Sequence, residues 1–561
     1  MDIPLLETPQ SLFVINKDLI ADQQAFRLDQ VLQNDASVQK QTNFLGAYSS
    51  YQIRGFNLNN ASNYLRDGRT HFHWSPPPVE VLERIEILKG PSSVLYGTMA
   101  PGGLINMLSK RPTLERYTSF KTTVGTDSLM HFHIDHGGPA SNDGSIRYRI
   151  NGVYEDSESF REYANGKVFS TERSTVAATV EWDLAPQTQF RINADATNDN
   201  RPQDLGLVNL TGNFSKQSYD LIYSQPWTHY NVDVWNIHVE LSHRFSESLQ
   251  LKSGYSLQDF KRDRFDNQAA GELEANGNLR IRARRRINQQ KYGTAYVDIN
   301  GQFSTGSFEH QYLLGLERTL TDSISNETSR NESFTINIYH PEILPNPHIP
   351  TRPEDRLGGT DRCGIYFQDM ISIDESWRIL IGGRYDDYQT DSTNESGAGV
   401  FDYSVDEFTP RLGVLYYFPG IQLSSYASFS RSFEPNAPVG AEYANSGQAL
   451  EPTLGEMYEL GAKWEIVGGR LLLTAAVFII DRENSPIENL LTQRIEQQGL
   501  QRHEGFEFSV QGLVGEHLRL SGSATYLDAQ FKQDDDPAIV GNTPSGVPEW
   551  AFRAHLNIWR I

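Results

Sequence analysis

The densest run of chemically capable side chains lies between Asp67 and Pro78. There Arg69, His71, Phe72, His73 and Trp74 precede Ser75 and three prolines. A guanidinium, two imidazoles and two aromatic rings this close together suit either a polar ligand or a metal ion. Coordination fails on ligand number, since His71 and His73 bring no third ligand at metal-site spacing, and no metal is expected. His131, His133 and Asp135 share one face of a strand, but Phe132 and Ile134 on the other face account for that by orientation alone. Catalytic patterns are missing. No G-x-S-x-G occurs, Gly166-Lys167 lacks a following Ser or Thr, no G-x-G-x-x-G follows a strand, and no H-E-x-x-H is present. An enzyme is therefore not expected. The 67–78 run is too irregular for a helix or strand, and as a loop it is open to ligand contact or to plain exposure.

The elements around that loop must position it. Upstream, Leu28, Val31 and Leu32 recur at helical spacing between Ala25 and Gln33, and Tyr48 to Phe56 reads as a strand. Downstream runs Glu83 to Pro112, ERIEILKGPSSVLYGTMAPGGLINMLSKRP. Arg84 to Leu88 alternates as a short strand, and Gly90-Pro91 breaks it. Ser92 to Tyr96 suits one helical turn, with Gly97 as its left-handed exit. Pro101-Gly102-Gly103 turns the chain into a second strand, Leu104 to Leu108. The whole is a small α+β module.

After Pro112 the texture changes. Segments of about ten residues alternate apolar and polar, the pattern of a membrane barrel strand. Ile146, Tyr148, Ile150 and Tyr154 oppose Arg147, Arg149, Asn151 and Glu155, and Tyr458, Leu460, Ala462 and Trp464 oppose Glu459. Phe506, Phe508 and Val510 likewise leave Glu507 on the other face. Strands are expected near 116–125, 130–137, 145–155, 172–184, 188–197, 234–246, 249–262, 280–301, 307–320, 361–373, 376–388, 406–418, 421–432, 454–467, 470–482, 501–512, 516–529 and 547–560. Short turns such as Pro419-Gly420 alternate with long polar segments at 198–233, 321–360 and 433–453, as on the two rims of such a barrel.

Composition agrees without deciding. The chain has 561 residues, 26 Tyr, 28 Phe and 8 Trp, enough for aromatic girdles. Mean hydropathy is −0.51 and no run of 18 apolar residues exists, which excludes helical membrane spans. Cys363 is the only cysteine, so no internal disulfide can form. A formal charge of −22 argues against nucleic acid as a partner.

Ile53-Arg54-Gly55-Phe56, the 83–112 module and Lys110-Arg111-Pro112 resemble, in order and spacing, the plug of TonB-dependent siderophore receptors. Gly364 to Asp369, Gly382 to Asp386, Tyr458-Glu459-Leu460-Gly461 and Gly505-Phe506-Glu507 resemble segments of that family's barrel. The resemblance implies an all-β transmembrane barrel with an N-terminal α+β plug in its lumen. The plug would take residues 1–114 and the barrel 115–561. Eighteen strands against the family's twenty-two imply an incomplete wall, open at two edges and short of its last four strands. No TonB box or export signal is visible before Leu12.

By the same resemblance the protein is an outer-membrane importer of a ferric siderophore, gated by the plug and energised by TonB. Iron arrives already chelated, so no cofactor is implied. The expected partners are the siderophore, TonB, outer-membrane lipid and lipopolysaccharide, around a monomer. Cargo contacts are expected from Arg54, Arg69, His71, Phe72, His73 and Trp74 at the plug apex, and from Trp227 and Tyr230 in the loops. Arg54 serves equally as a structural plug arginine. Arg84 and Arg111 would lock the plug by pairing with Glu459 and Glu507. Two rivals stand beside this reading: the same architecture carrying cobalamin, haem or a glycan, and a soluble all-β binding protein.

Overall fold

A computed structural model of the chain describes residues 3–44, 48–204, 206, 209–210, 213–214, 218–347, 349, 355–394, 399–440, 442–489 and 492–558. The N-terminal hundred residues fold around a five-stranded sheet, in the order Leu12–Asn16, Leu82–Lys89, Gly103–Ser109, Tyr64–Arg66, Arg69–Thr70. A smaller sheet joins Val38–Phe44, Tyr48–Ile53 and Phe56–Asn57. Alternation drives the first sheet: Ile85 and Ile87 point into the plug core with Phe13, Ile15, Ile105 and Met107, all essentially inaccessible. The helices Lys17–Asp22 and Leu28–Leu32 close that core with Leu19, Leu28 and Val31. The second helix starts later than its periodicity suggests. Gln30 accepts from the backbone N–H groups of Phe26 and Arg27, which fixes its first turn.

The turn at Gly103 has no room for a side chain. Its φ is +135°, and an added Cβ would sit 2.2 Å from the Leu88 carbonyl oxygen. Gly103→Ala is therefore expected to destabilise the plug by about 1–3 kcal/mol. Amide exchange across Leu82–Ser109 should rise, with the barrel's heat-dependent gel mobility unchanged.

From Tyr117 onward the chain forms eighteen antiparallel strands in one barrel. Their outward side chains are apolar and exposed, and their inward ones are polar and covered. Ile150 is 45% exposed while Arg149, Asn151 and Glu155 are buried, and Trp464 faces out where Glu459 faces in. Trp182, Phe245, Phe303, Trp377, Phe418 and Trp464 stand exposed beside the short turns and form an aromatic girdle along that rim.

Two expectations change. The strand order returns from Trp550–Ile558 to Tyr117–Val124, so the wall comes round on itself where two open edges were expected, but among the described residues no residue-by-residue ladder joins these two strands as it joins the other neighbouring pairs. Closure is what an apolar surround favours, because an edge leaves backbone groups unmet. Outward residues at that seam stay highly exposed, with Phe120 at 69% and Phe552 at 64%. Several strands also run past the predicted ends. Phe308–Asn337 continues seventeen residues beyond position 320, paired with Asn278–Thr305 as far as Asn337 opposite Asn278. Past Leu320 most residues are polar, with Ile324, Phe334 and Ile336 too widely scattered to mark a face, so periodicity fades while the hydrogen-bond ladder continues above the membrane. Of the expected last strand, Trp559 and Arg560 lie outside the described residues, as does Ile561 after it.

Candidate functional site

The plug meets the wall at two levels. The upper level is a cavity of about 480 Å³, floored by the plug from Gly55 to Asn59 and walled by Glu434, Arg482, Gln501, Phe531, Pro544 and Ser545. Glu434 and Phe531 lie at or near the long-loop ends of their strands, Pro544 and Ser545 lie in a long loop, and Arg482 and Gln501 lie in the outer halves of the strands Leu471–Asn489 and Arg494–Val514. A second hollow of about 140 Å³ adjoins it, sharing Asn59 and Glu434 and lined by Thr98, Thr321, Thr360 and Arg362.

Directly beneath the floor lies a buried ion cluster. Ile53 ends one strand and Phe56 starts the next, so Arg54 and Gly55 make a two-residue hairpin turn with φ of +51° and +79°. That turn aims Arg54 at the wall. Its Nη2 is 2.7 Å from Glu459 Oε2 and its Nε is 2.9 Å from Glu507 Oε1. The guanidinium carbon lies 3.8 Å from the centre of the Phe478 ring. Lys89 Nζ completes the cluster, 2.9 Å from Glu507 and 3.0 Å from Asp35. Arg54 is wholly buried, yet its guanidinium stays charged: burial opposes the cation, and the two glutamates more than compensate. Lys89 is held above its ordinary value in the same way, burial being outweighed by Asp35 and Glu507. Removing a partner from such a cluster strands a buried charge, so it fastens plug to wall.

The expected locking residues require correction. Glu459 and Glu507 do face the plug, but neither Arg84 nor Arg111 reaches them. Arg84 turns to Glu86 at 2.8 Å and is 43% exposed, and Arg111 comes no nearer than 3.9 Å to Glu181. The reason is parity. On Leu82–Lys89, Arg84 shares a face with Glu86, whereas Lys89 shares the buried face of Ile85 and Ile87. The cations in the lock are Arg54 and Lys89. Lys89 is legible from that parity, whereas Asp35, in the turn between Leu28–Leu32 and Val38–Phe44, carries no such signal.

The apical residues land in plug–wall contacts. Arg69 pairs with Asp298 and Glu317, each at 2.8 Å, and lies 3.4 Å over the Tyr296 ring. Phe72 packs among Phe260, Tyr292 and Trp74, and Trp74 accepts through its carbonyl from the Tyr230 hydroxyl at 3.1 Å. Arg262 lies 4.0 Å over Trp74. Trp227 packs at a tilt against Phe265, with ring centres 4.7 Å apart. None of these eight apex and loop residues lines the 480 Å³ cavity; of the residues that do, Gly55, Phe56 and Pro101 belong to the plug motifs, whereas Asn57, Gln501 and Arg482 carry no sequence motif.

His71 and His73 are buried, and His73 lies flat on Tyr64 with ring centres 3.7 Å apart. Burial pushes the His73 imidazole down to about 3, and burial with Arg66 and His73 nearby lowers His71. Both are neutral in the fold, whereas in the unfolded chain they take up a proton near pH 6.5. Stability from each is complete above pH 6.5 and falls by about 1.4 kcal/mol per unit below it. Amide exchange over residues 58–75 should therefore quicken between pH 6.5 and 5, and less so in His73→Phe.

Comparison with known proteins agrees with this architecture. Residues 4–104 match the TonB-dependent Receptor Plug Domain, and residues 175–560 match the TonB dependent receptor-like, beta-barrel family. The metal-pseudopaline receptor CntO of Pseudomonas aeruginosa PAO1 is 31% identical over 556 residues, 96% of this chain and 76% of that one. The ferrichrome outer membrane transporter/phage receptor of Escherichia coli K12 is 27% identical over 590 residues, 98% of this chain and 77% of that one. Among solved structures, the siderophore receptor PiuA of Acinetobacter baumannii superposes with a TM-score of 0.89 at 20% identity, covering 99% of this chain and 85% of that one. The chain belongs to the TonB-dependent receptors, barrel-and-plug transport proteins of the outer membrane and not enzymes.

Proposed function

We propose that this receptor imports a ferric siderophore, energised by TonB. The observation that carries the reading is the 480 Å³ cavity, built jointly by plug apex and long-loop rim and floored by the residues next to Arg54. A cavity of that size suits a chelate, and iron entering inside its ligand leaves the protein with no need of a cofactor. Cargo pressing on Gly55 to Asn59 bears on the hairpin that carries Arg54. Through Arg54 it bears on Glu459, which also accepts from the Ser11 backbone N–H at 2.9 Å. Lys463 holds the Leu5 and Thr8 carbonyls at 2.8 and 2.6 Å on the same wall strand. A contiguous path thus joins the outer cavity to the N-terminal strand, the end on which TonB would pull. The receptor acts as a monomer among outer-membrane lipid and lipopolysaccharide.

The name of the relative at 31% identity favours a second reading, a metal chelate other than a ferric siderophore. Tryptophan fluorescence of the purified receptor separates the two. Saturable quenching by a ferric siderophore, and TonB-dependent uptake of the same chelate, are the expected results. Silence with every ferric siderophore alongside a response to another metal complex, cobalamin, haem or a glycan would overturn the assignment.

A further inference from the structure

We propose that the chelate bound in the outer cavity is electrically neutral or nearly so, an inference that rests on the receptor reading above. The ionic groups of the lining are already matched. Among the described residues of the two adjoining hollows, the charged side chains are Glu434, Arg482 and Arg362. Arg482 Nη2 lies 3.3 Å from Glu434 Oε2, and Arg362 Nη2 lies 3.0 Å from Glu317 Oε1 just behind the lining. Arg482 therefore enters the site with a carboxylate, and Arg362 shares Glu317 with Arg69 and Arg384, whose further partners Asp298 and Asp386 bring that cluster to three cations against three carboxylates.

The rest of the polar lining is uncharged. Amides come from Gln52, Asn57, Asn59 and Gln501, and hydroxyls from Thr98, Thr321 and Thr360. Such groups read carbonyl, amide and hydroxyl oxygens without preferring a net charge. The wall's other inward arginines line neither hollow. Arg264 and Arg284 turn to Asp266, and Arg262 turns to Asn288 and the Trp74 ring.

A multiply charged anion entering here would shed water, meet Glu434, and have to draw Arg482 away from its partner. A neutral complex escapes all three costs. The chain's formal charge of −22 gives an anion no long-range help.

Two ferric complexes of similar size test this. Three hydroxamates cancel the charge of the ferric ion, whereas three catecholates leave a trianion. Fluorescence titration of the intact receptor in detergent, at physiological salt, should show the tris-hydroxamate binding at least about tenfold more tightly. Glu434→Gln, which releases Arg482, should shrink that ratio by about tenfold, chiefly by strengthening the trianion, and added salt should reverse the gain. Retained heat-dependent gel mobility would show that the variant is folded. Arg482→Gln gives the second arm: it should weaken the trianion more than the neutral complex, so that the ratio widens by at least about threefold. Tighter binding of the trianion by the unaltered receptor would overturn the inference and leave the receptor reading intact. An unchanged ratio in Glu434→Gln would do the same. Binding of neither complex, with quenching by a non-ferric cargo, would overturn both.

Discussion

Arg54→Ala should loosen the plug from the wall by about 3–5 kcal/mol, because it leaves Glu459 and Glu507 buried with one cation fewer between them. Lys89 remains, but it is committed to Glu507 and Asp35. Glu459 keeps the Tyr426 hydroxyl at 2.7 Å and the Ser11 N–H, both neutral donors, against a whole buried charge. The loss should appear as faster amide exchange in Tyr48–Asn57 and Leu82–Lys89 while barrel strands stay protected. In cells it should appear as increased entry of bulky antibiotics through a leaking lumen. Neutralising the acids as well, in Arg54→Ala with Glu459→Gln and Glu507→Gln, should restore much of the protection, since a cluster removed whole strands no charge. Protection lost equally in the single and triple variants would mean that lost packing over Phe478, and not the charge, holds the plug.

The parts of this site that could be read from sequence are those set by a period of two. Glu459 and Glu507 were assigned to the lumen because Tyr458, Leu460, Phe506 and Phe508 had to face lipid, and the barrel bears that out. The same rule applied to Leu82–Lys89 would have selected Lys89 over Arg84, since Ile85 and Ile87 mark the covered face. Arg84 carries the family's motif, but its parity puts it with Glu86 on the less covered face.

The partner of Arg54 was beyond reach for a different reason. Its contacts span more than four hundred positions in the chain, and nothing within a hairpin turn reports what stands across a lumen. The His71–Trp74 segment shows the same limit. Rings that would serve an open cargo platform serve equally well against Tyr230, Phe260 and Tyr292, and burial against the wall settles which. Cavity-lining residues such as Gln52, Gln501 and Arg482 come from separate strands and loops, so they share no spacing that a sequence could display.

Leu460→Arg tests the wall itself, and its expected cost is about 2–4 kcal/mol. Leu460 is 59% exposed on the outward face of Thr453–Ile466, between Tyr458 and Ala462 and well away from the short turn that follows Ile466. A guanidinium there must sit in hydrocarbon or drag water and headgroups toward it. Trp464, four residues nearer the rim, donates its indole N–H to the Ile421 carbonyl at 2.9 Å, as a girdle residue does at an interface. Trp464→Arg should therefore cost only about 0–1 kcal/mol in charge burial, plus what the lost ring contributes. Trp464→Ala measures that second part separately. Folding into vesicles from urea, followed by heat-dependent gel mobility, reads all three variants. A steep difference between positions 460 and 464 is the mark of an apolar slab of finite thickness around the barrel. A flat profile, with arginine tolerated equally at both, would mean that water surrounds the wall, and the face carrying Tyr458, Leu460 and Trp464 would then need another explanation.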